Sequence, residues 1–264
     1  MAYWSQKVVL ITGGSAGLGL ALARRWQAAG AQVVIVGRDE AKLSTAATQL
    51  TSGLPVTAIA ADITRDDDVR RLIDDTLQRH GRLDALVNNA GRSSRGKLLE
   101  TPLADFRAQW ELNFLALVRC TQAAAPHLLQ SQGHIVNIGS LAAKSASRFI
   151  GPYATTKFPV AAFSQQLRLE LAETGVHVLL VCPGPIQRDD TTPRYQAEGL
   201  PESAKKPGGG VKLKGIPPDV LAERVLRACE RRQAELVIPW KARLLFAIGQ
   251  LSPAWGDWIV RKMT

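Results

Sequence analysis

Lys7-Val8-Val9-Leu10-Ile11-Thr12 runs directly into Gly13-Gly14-Ser15-Ala16-Gly17-Leu18-Gly19, and that junction decides the fold. The first run is short, rich in Val, Leu and Ile, and lacks polar alternation, which fits a strand buried on both faces of a parallel sheet. The glycines permit positive φ and close backbone approach. From Leu18 to Ala29 the apolar residues recur at helical spacing. A helix N-terminus at the end of a glycine turn favours a phosphate charge, so the unit suits a dinucleotide pyrophosphate. The spacing differs from G-x-G-x-x-G, and the reading therefore needs the strand–loop–helix context and the rest of the chain.

Working outward, the same two patterns alternate. Gln32–Gly37, Val56–Ala60, Asp84–Asn88, His134–Ser140, Val176–Cys182 and Leu236–Ile238 read as further strands. Asp39–Leu50, Asp66–His80, Leu103–Gln130, Tyr153–Thr174 and Asp219–Arg231 read as helices between them. Alternating βα units predict an α/β fold: a doubly wound, seven-stranded, mostly parallel Rossmann-like sheet with helices on both faces. Right-handed crossovers place a cofactor at the carboxyl ends of the strands. No repeat or linker divides the chain, so residues 1–264 are expected to form one domain. Residues 188–215 break the pattern with Gly208-Gly209-Gly210 and several prolines, as a substrate lid or a flexible surface insertion would.

Bulk properties narrow the class. A hydrophobic content of 46% fits a globular protein, and no apolar stretch approaches the roughly 20 residues that span a bilayer. With no apparent signal peptide, a cytoplasmic location is expected. Cys120, Cys182 and Cys229 lack metal or redox spacing and read as packing residues, and none of the four histidines is given a ligand role. No metal site is expected. The net charge of +10 is densest in residues 188–264, with 14 Lys and Arg against 9 Asp and Glu. No nucleic-acid motif accompanies it, so no nucleic-acid partner is expected; the charge reads mostly as a solvated face.

Tyr153 and Lys157 lie four residues apart, downstream of Ser140. On a helix they share a face, so phenol and ammonium can enter one site. The ammonium stabilises phenolate; moving a phenol from its usual value near ~10 to neutral pH needs about 4 kcal/mol, shared among cation, cofactor and burial. An acid active near neutrality is what carbonyl reduction or alcohol oxidation requires.

With Thr12-Gly13-x-x-x-Gly17-x-Gly19, Asp62-Ile63, Asn88-Asn89-Ala90-Gly91, Asn113, Ser140, Tyr153-x-x-x-Lys157 and Pro183-Gly184 in order, the chain resembles the short-chain dehydrogenase/reductase family from Lys7 to about Pro239. The resemblance implies that Tyr153 is the acid/base, Ser140 polarises the substrate carbonyl, Lys157 holds the nicotinamide ribose and tunes Tyr153, and Asn113 positions a relay water. It implies cofactor contacts from Thr12, Gly13, Ser15, Gly17, Leu18, Gly19, Asp62, Ile63, Asn89, Ala90, Gly91, Tyr153, Lys157, Pro183, Gly184 and Ile186. It also implies a homodimer or homotetramer. Asp66, Asp67 and Asp68 fall in a first helical turn and read as structural.

The second strand ends Val36-Gly37-Arg38, with no acid for the adenosine ribose. Arg38 is placed to pair with a 2′-phosphate, with a hydroxyl from Ser15, so NADP(H) is preferred over NAD(H). The competing arrangement has Asp39 on the ribose hydroxyls and Arg38 solvated. Two departures from the family pattern stand out. Pro159 lies within the helix of Tyr153, where it removes a backbone donor. Gln187-Arg188 follows Ile186 where many members carry a threonine that touches the nicotinamide amide; Thr191 or Thr192 are the candidates to replace it.

Residues 240–264 form an amphipathic C-terminal extension. Trp240, Leu244, Ile248, Leu251, Trp255, Trp258 and Ile259 recur at helical spacing beside Lys241, Arg243, Arg261 and Lys262. Gly249, Pro253 and Gly256 divide it into two short helices. The stripe is expected to pack on the protein's own core or a second subunit; the alternative is peripheral membrane contact. The leading reading is an NADP(H)-dependent carbonyl reductase or alcohol dehydrogenase of undetermined substrate. The alternative is a non-catalytic nucleotide-binding regulatory or membrane-associated protein on the same fold.

Overall fold

A computed structural model describes residues 2–51, 53–187, 200, 201, 204 and 213–263. Seven strands form one sheet in the order β3-β2-β1-β4-β5-β6-β7. They are β1 (Val8–Thr12), β2 (Gln32–Gly37), β3 (Thr57–Ala60), β4 (Ala85–Asn88), β5 (His134–Ile138), β6 (His177–Pro183) and β7 (Glu235–Ile238). All six pairings are parallel, which sharpens the mostly parallel expectation. Every residue of β1, β4, β5 and β6 is buried, the reason these strands read as unbroken apolar runs.

The pleat divides the core. Val9, Ile11, Val33, Ile35, Ala85 and Val87 pack under α1 (Gly17–Ala28), α2 (Glu40–Gln49) and α7 (Pro218–Glu230). Val8, Leu10, Val34, Val36 and Leu86 face the opposite layer, α3 (Asp66–His80) and α5 (Ala116–Ser131). Two further helices complete that side: α4 (Leu103–Trp110) and α6 (Tyr153–Glu170). Cys120, Cys182 and Cys229 are buried in these layers, and burial pushes their thiols up, to about 12 for Cys120 and Cys182. The strand order turns back between β1 and β4, and the crevice for a ligand opens there, above the carboxyl ends.

The expected single helix Leu103–Gln130 is interrupted by a π turn, Glu111–Leu115, whose centre is Asn113. Helix α6 continues through Pro159, and its end is earlier than the expected Thr174. Asp68 accepts the backbone N–H of Asp62 at 2.8 Å, while Asp66 and Asp67 pair with Arg119 and Arg70, so all three carboxylates hold the start of α3. The substrate-lid expectation falls mostly on residues outside those described, as do Arg188, Thr191 and Thr192.

A buried polar chain at the opposite, amino-terminal edge is not evident from the spacing of the histidines. The Tyr3 hydroxyl lies 2.8 Å from His134 Nε2, His134 Nδ1 lies 2.9 Å from His177 Nδ1, and His177 Nε2 lies 2.8 Å from the Gln233 carbonyl. A carbonyl only accepts, so His177 donates from Nε2. Burial lowers both histidine pKa values, that of His134 to about 3, so both rings are neutral. His134 therefore donates from Nδ1 to His177 and accepts the Tyr3 hydroxyl at Nε2.

Candidate active site

The glycine segment is built around Thr12. Its hydroxyl donates to the Val87 carbonyl and accepts the N–H groups of Asn89 and Ala90 at 3.0 and 3.1 Å. The Asn89 amide donates back to the carbonyls of Thr12 and Gly13 at 2.9 and 3.2 Å. These bonds clamp the ends of β1 and β4 across the crevice. Asn88, by contrast, donates to Thr121 and Asn137 inside the core and serves the sheet.

Gly13 has φ +66, and a Cβ on Gly19 would lie 2.0 Å from the Gly13 carbonyl oxygen, so neither position accepts a side chain. A Cβ on Gly17 would meet nothing within 4 Å, so the loop opens outward there. Helix α1 then begins with no side-chain cap and no acid in its first turn. Its leading N–H groups and positive dipole end thus remain for an anion, and the donor set fits a dinucleotide pyrophosphate. Leu18, just inside the helix, is buried in the core beneath this loop.

Arg38 is exposed at the end of β2 and makes no ion pair among the described residues. Asp39 is committed elsewhere: its carboxylate caps α2 by accepting the Lys42 N–H at 3.0 Å and pairs with the Lys42 ammonium at 3.1 Å. Those contacts, the backbone bond foremost, hold Asp39 below the usual carboxylate range. Asp62 accepts both the N–H and the hydroxyl of Thr64. Burial alone would raise its pKa, but Thr64, Arg38 and Arg65 outweigh burial and leave it lowered. Ile63 is buried among the α3 core residues.

The reactive set comes from three elements at the same edge. Ser140 follows β5, and its hydroxyl accepts the Ala142 N–H at 3.1 Å. Tyr153 and Lys157 stand one turn apart at the start of α6, with Lys157 Nζ 5.9 Å from the Tyr153 ring centroid. Lys157 is 4% exposed and donates to the Ile138 carbonyl at 2.8 Å. Burial lowers its pKa to about 8, with a smaller opposing influence from Cys182. A Cβ on Gly91 would lie 3.7 Å from Lys157 Nζ and 3.0 Å from Asn113 Oδ1. The absent side chain at Gly91 is what lets β4, the π turn and α6 converge.

Asn113 spends its amide on structure. Oδ1 accepts the Arg92 N–H at 2.8 Å, and Nδ2 donates to the Arg92 carbonyl and to Thr156 Oγ1, both at 2.9 Å. Thr156 in turn donates to the Tyr153 carbonyl at 2.8 Å. Thr156 was not among the expected site residues; its place three residues after Tyr153 and next to Lys157 is the signal that marks it. Past β6, the Gly184 N–H donates to the Ile238 carbonyl at 2.7 Å, and Ile186 bridges to Ile216. Pro183, Gly184 and Ile186 therefore line the carboxyl edge beside the crevice. The arrangement can hold a cofactor's ribose on a buried ammonium, present a hydroxyl pair to a carbonyl and exchange a proton through a phenol.

Comparison with known proteins agrees with this architecture. The protein is 35% identical over 264 residues to L-fucose dehydrogenase of Bos taurus, covering 95% of each chain. It is 30% identical to the ketoacyl reductase HetN of Nostoc sp., over 97% of this chain and 88% of that one. Among solved structures, a short-chain dehydrogenase from Streptomyces avermitilis superposes with a TM-score of 0.82 at 29% identity, covering 97% of this chain and 96% of that chain. A metagenomic short-chain oxidoreductase in complex with NADP gives 0.71 at 28% identity, covering 89% and 95%. Residues 7–199 match the family model for short chain dehydrogenases, and the chain belongs to the short-chain dehydrogenase/reductase family of oxidoreductases.

Proposed function

We propose that this protein interconverts a ketone or aldehyde and the corresponding alcohol with NADP(H), using Tyr153 as the acid/base. The observation that carries the reading is the buried Lys157 ammonium, held on the Ile138 carbonyl 5.9 Å from the Tyr153 ring and beside Gly91. When bound, the nicotinamide supplies or accepts the hydride. The Tyr153 phenol gives its proton to the substrate oxygen during reduction and takes it back during oxidation. Ser140 donates its hydroxyl to the same oxygen and fixes its orientation. Lys157 holds the nicotinamide ribose and stabilises phenolate. Asn113, at the π turn, commits its amide to Arg92 and Thr156, and one Oδ1 lone pair is left for a water that returns a proton to the site.

The preference for NADP(H) rests on Arg38, exposed and unengaged by any ion pair among the described residues, and on Asp39, occupied as a helix cap. A guanidinium pairs with a 2′-phosphate, whereas a ribose site needs a carboxylate that this chain uses elsewhere. The NADP-bound relative is consistent with it. The two curated relatives suggest a substrate panel headed by L-fucose and 3-ketoacyl compounds. We further expect a homodimer or homotetramer, because Leu98, Leu99 and Leu103 lie exposed together near the start of α4. The deciding experiment follows NADPH absorbance across carbonyl and alcohol panels with wild type and Tyr153→Phe. Turnover should fall about 100-fold or more in the variant while NADPH still binds. A Tyr153→Phe enzyme that kept most of its activity would overturn the mechanism.

A further inference from the structure

Beyond β7 the chain forms two short helices, α8 (Ala242–Leu251) and α9 (Pro253–Met263). Ala242 and Phe246, one turn apart, seat α8 on the core cluster of Leu180, Cys182 and Val237. The helices meet at glycines: a Cβ on Gly256 would lie 2.7 Å from the Gly249 Cα. The hairpin is therefore closed by its smallest residues, and its large apolar side chains are left outside. No residue of α8 is buried, and in α9 only Gly256 is. Trp240, Leu244, Leu251, Trp255 and Trp258 are 66, 60, 88, 69 and 53% exposed. The stripe thus does not pack on the protein's own core, contrary to the first half of the sequence expectation.

The charges beside the stripe indicate what covers it. Residues 240–264 carry Lys241, Arg243, Arg261 and Lys262 against Asp257 alone. Trp255, Trp258 and Lys262 recur at helical spacing on one face of α9, with the Lys262 ammonium 4.4 Å from the Trp258 ring. Tryptophan beside lysine and arginine is the composition of a surface that meets lipid headgroups, with rings at the acyl boundary and cations on phosphates. Helices of 10 and 11 residues cannot span a bilayer, but they can lie in its surface. Among the described residues no helix is long and apolar enough to cross a membrane. A two-fold contact of hairpin with hairpin would instead set like cations against each other.

We propose that the α8–α9 hairpin docks the protein on an anionic lipid surface through its exposed tryptophans and leucines. A groove of about 610 Å³ separates α8 from α6 and runs from Ala143 and Lys144, just after Ser140 in sequence, to Arg168 and Glu235. The proposal does not depend on the cofactor or the reaction.

The test uses the full chain and vesicles of phosphatidylcholine alone or mixed with phosphatidylglycerol, read by co-sedimentation. Wild type should bind the mixed vesicles, bind phosphatidylcholine alone more weakly, and be released by high salt. Trp255→Ser with Trp258→Ser should weaken binding by about tenfold or more, and Arg261→Glu with Lys262→Glu should abolish the preference for anionic lipid. Melting temperature and NADPH binding should stay near wild type in both, since these side chains are exposed. Failure of wild type to bind the mixed vesicles would overturn the proposal. So would unchanged binding by the tryptophan variant. A fall in oligomer size for that variant, measured by sedimentation velocity, would assign the stripe to a second copy of the chain and equally overturn it.

Discussion

The Asn113 amide donates to the Thr156 hydroxyl at 2.9 Å, tying the π turn to the helix that carries Tyr153 and Lys157. The same amide group closes both backbone hydrogen bonds of Arg92, immediately after the glycine that borders Lys157. The polar link between helix α4–α5 and helix α6 therefore passes through this side chain, beside the apolar contact of Phe114 with Phe163. A π turn is the local cost of aiming that side chain inward, and such turns collect at functional sites.

Asn113→Leu should strand two backbone groups of Arg92 and leave the Thr156 hydroxyl only its bond to the Tyr153 carbonyl, with a loss of about 2 kcal/mol in chemical denaturation. Turnover should fall as well. Thr156→Val is more discriminating, because it keeps the shape and removes only the hydroxyl. It should lower kcat with little change in KM for the carbonyl substrate, and Thr156→Ser should restore it. Equal activity in Thr156→Val and wild type would show that the link does not position the catalytic helix.

Lys157 gives the pH dependence of cofactor binding its sign. Burial lowers the ammonium from the ordinary 10.5 to about 8, so in the free protein the charge is lost as pH rises through about 8. The affinity for NADPH should therefore decline above that pH. Because bound phosphates favour the charged form, binding above pH 8 should take up protons, measurable by calorimetry in buffers of different ionisation enthalpy. Lys157→Met should remove both the decline and the proton uptake.

Arg38 offers a charge-reversal test. Arg38→Asp replaces a group that pairs with the 2′-phosphate by one that repels it, and should weaken NADPH by about 100-fold while leaving NADH within a few-fold. Asp39→Asn should cost only the cap of α2, about 1 kcal/mol or less of stability, with no change in cofactor choice. Fluorescence titration of both cofactors decides this. Equal wild-type affinity for NADH and NADPH would defeat the assignment.

Much of this was legible in the chain because buried parallel strands declare themselves. Val8 to Thr12 and His177 to Pro183 are buried residue by residue, so their sequences carry no polar alternation to confuse the reading. The glycines of the first turn were legible for a similar reason, since close approach tolerates nothing larger. The π turn was not, because Glu111 to Leu115 has ordinary helical composition and the departure depends on Arg92, distant in sequence. Thr156 was marked only by its place beside Lys157; the link to Asn113 was not legible, since that partner lies on another element. The hairpin was half legible. Its two-helix division follows from Gly249, Pro253 and Gly256, whereas the outward direction of its stripe depends on Ala242 and Phe246 taking the seat on the core. The paired histidines gave no local sign at all, since adjacency of β5 and β6 is what makes them neighbours.

That pair should govern the response to acid. Both rings are neutral in the folded chain: burial lowers His134 to about 3, helped by His177, Arg232 and Lys7, and burial lowers His177 as well. In the unfolded chain each titrates near ~6.5. A group with a depressed folded pKa stabilises fully above its unfolded pKa and loses that contribution as pH falls. Stability should therefore decline from about pH 6.5 downward, with His134 approaching a slope of about 1.4 kcal/mol per pH unit and His177 adding in the same direction. The window from about pH 6.5 to 5.5 lies above most ordinary carboxylate titration, so it reports mainly the imidazoles, His80 among them because burial lowers it too. His134→Phe retains a ring in the aromatic cluster with Tyr3 and Trp4 but leaves the Tyr3 hydroxyl and His177 Nδ1 without this partner. It should lower stability at pH 7 and flatten the slope through the window, as read by urea denaturation at stepped pH. An unchanged slope in that variant would remove the pair from the acid response.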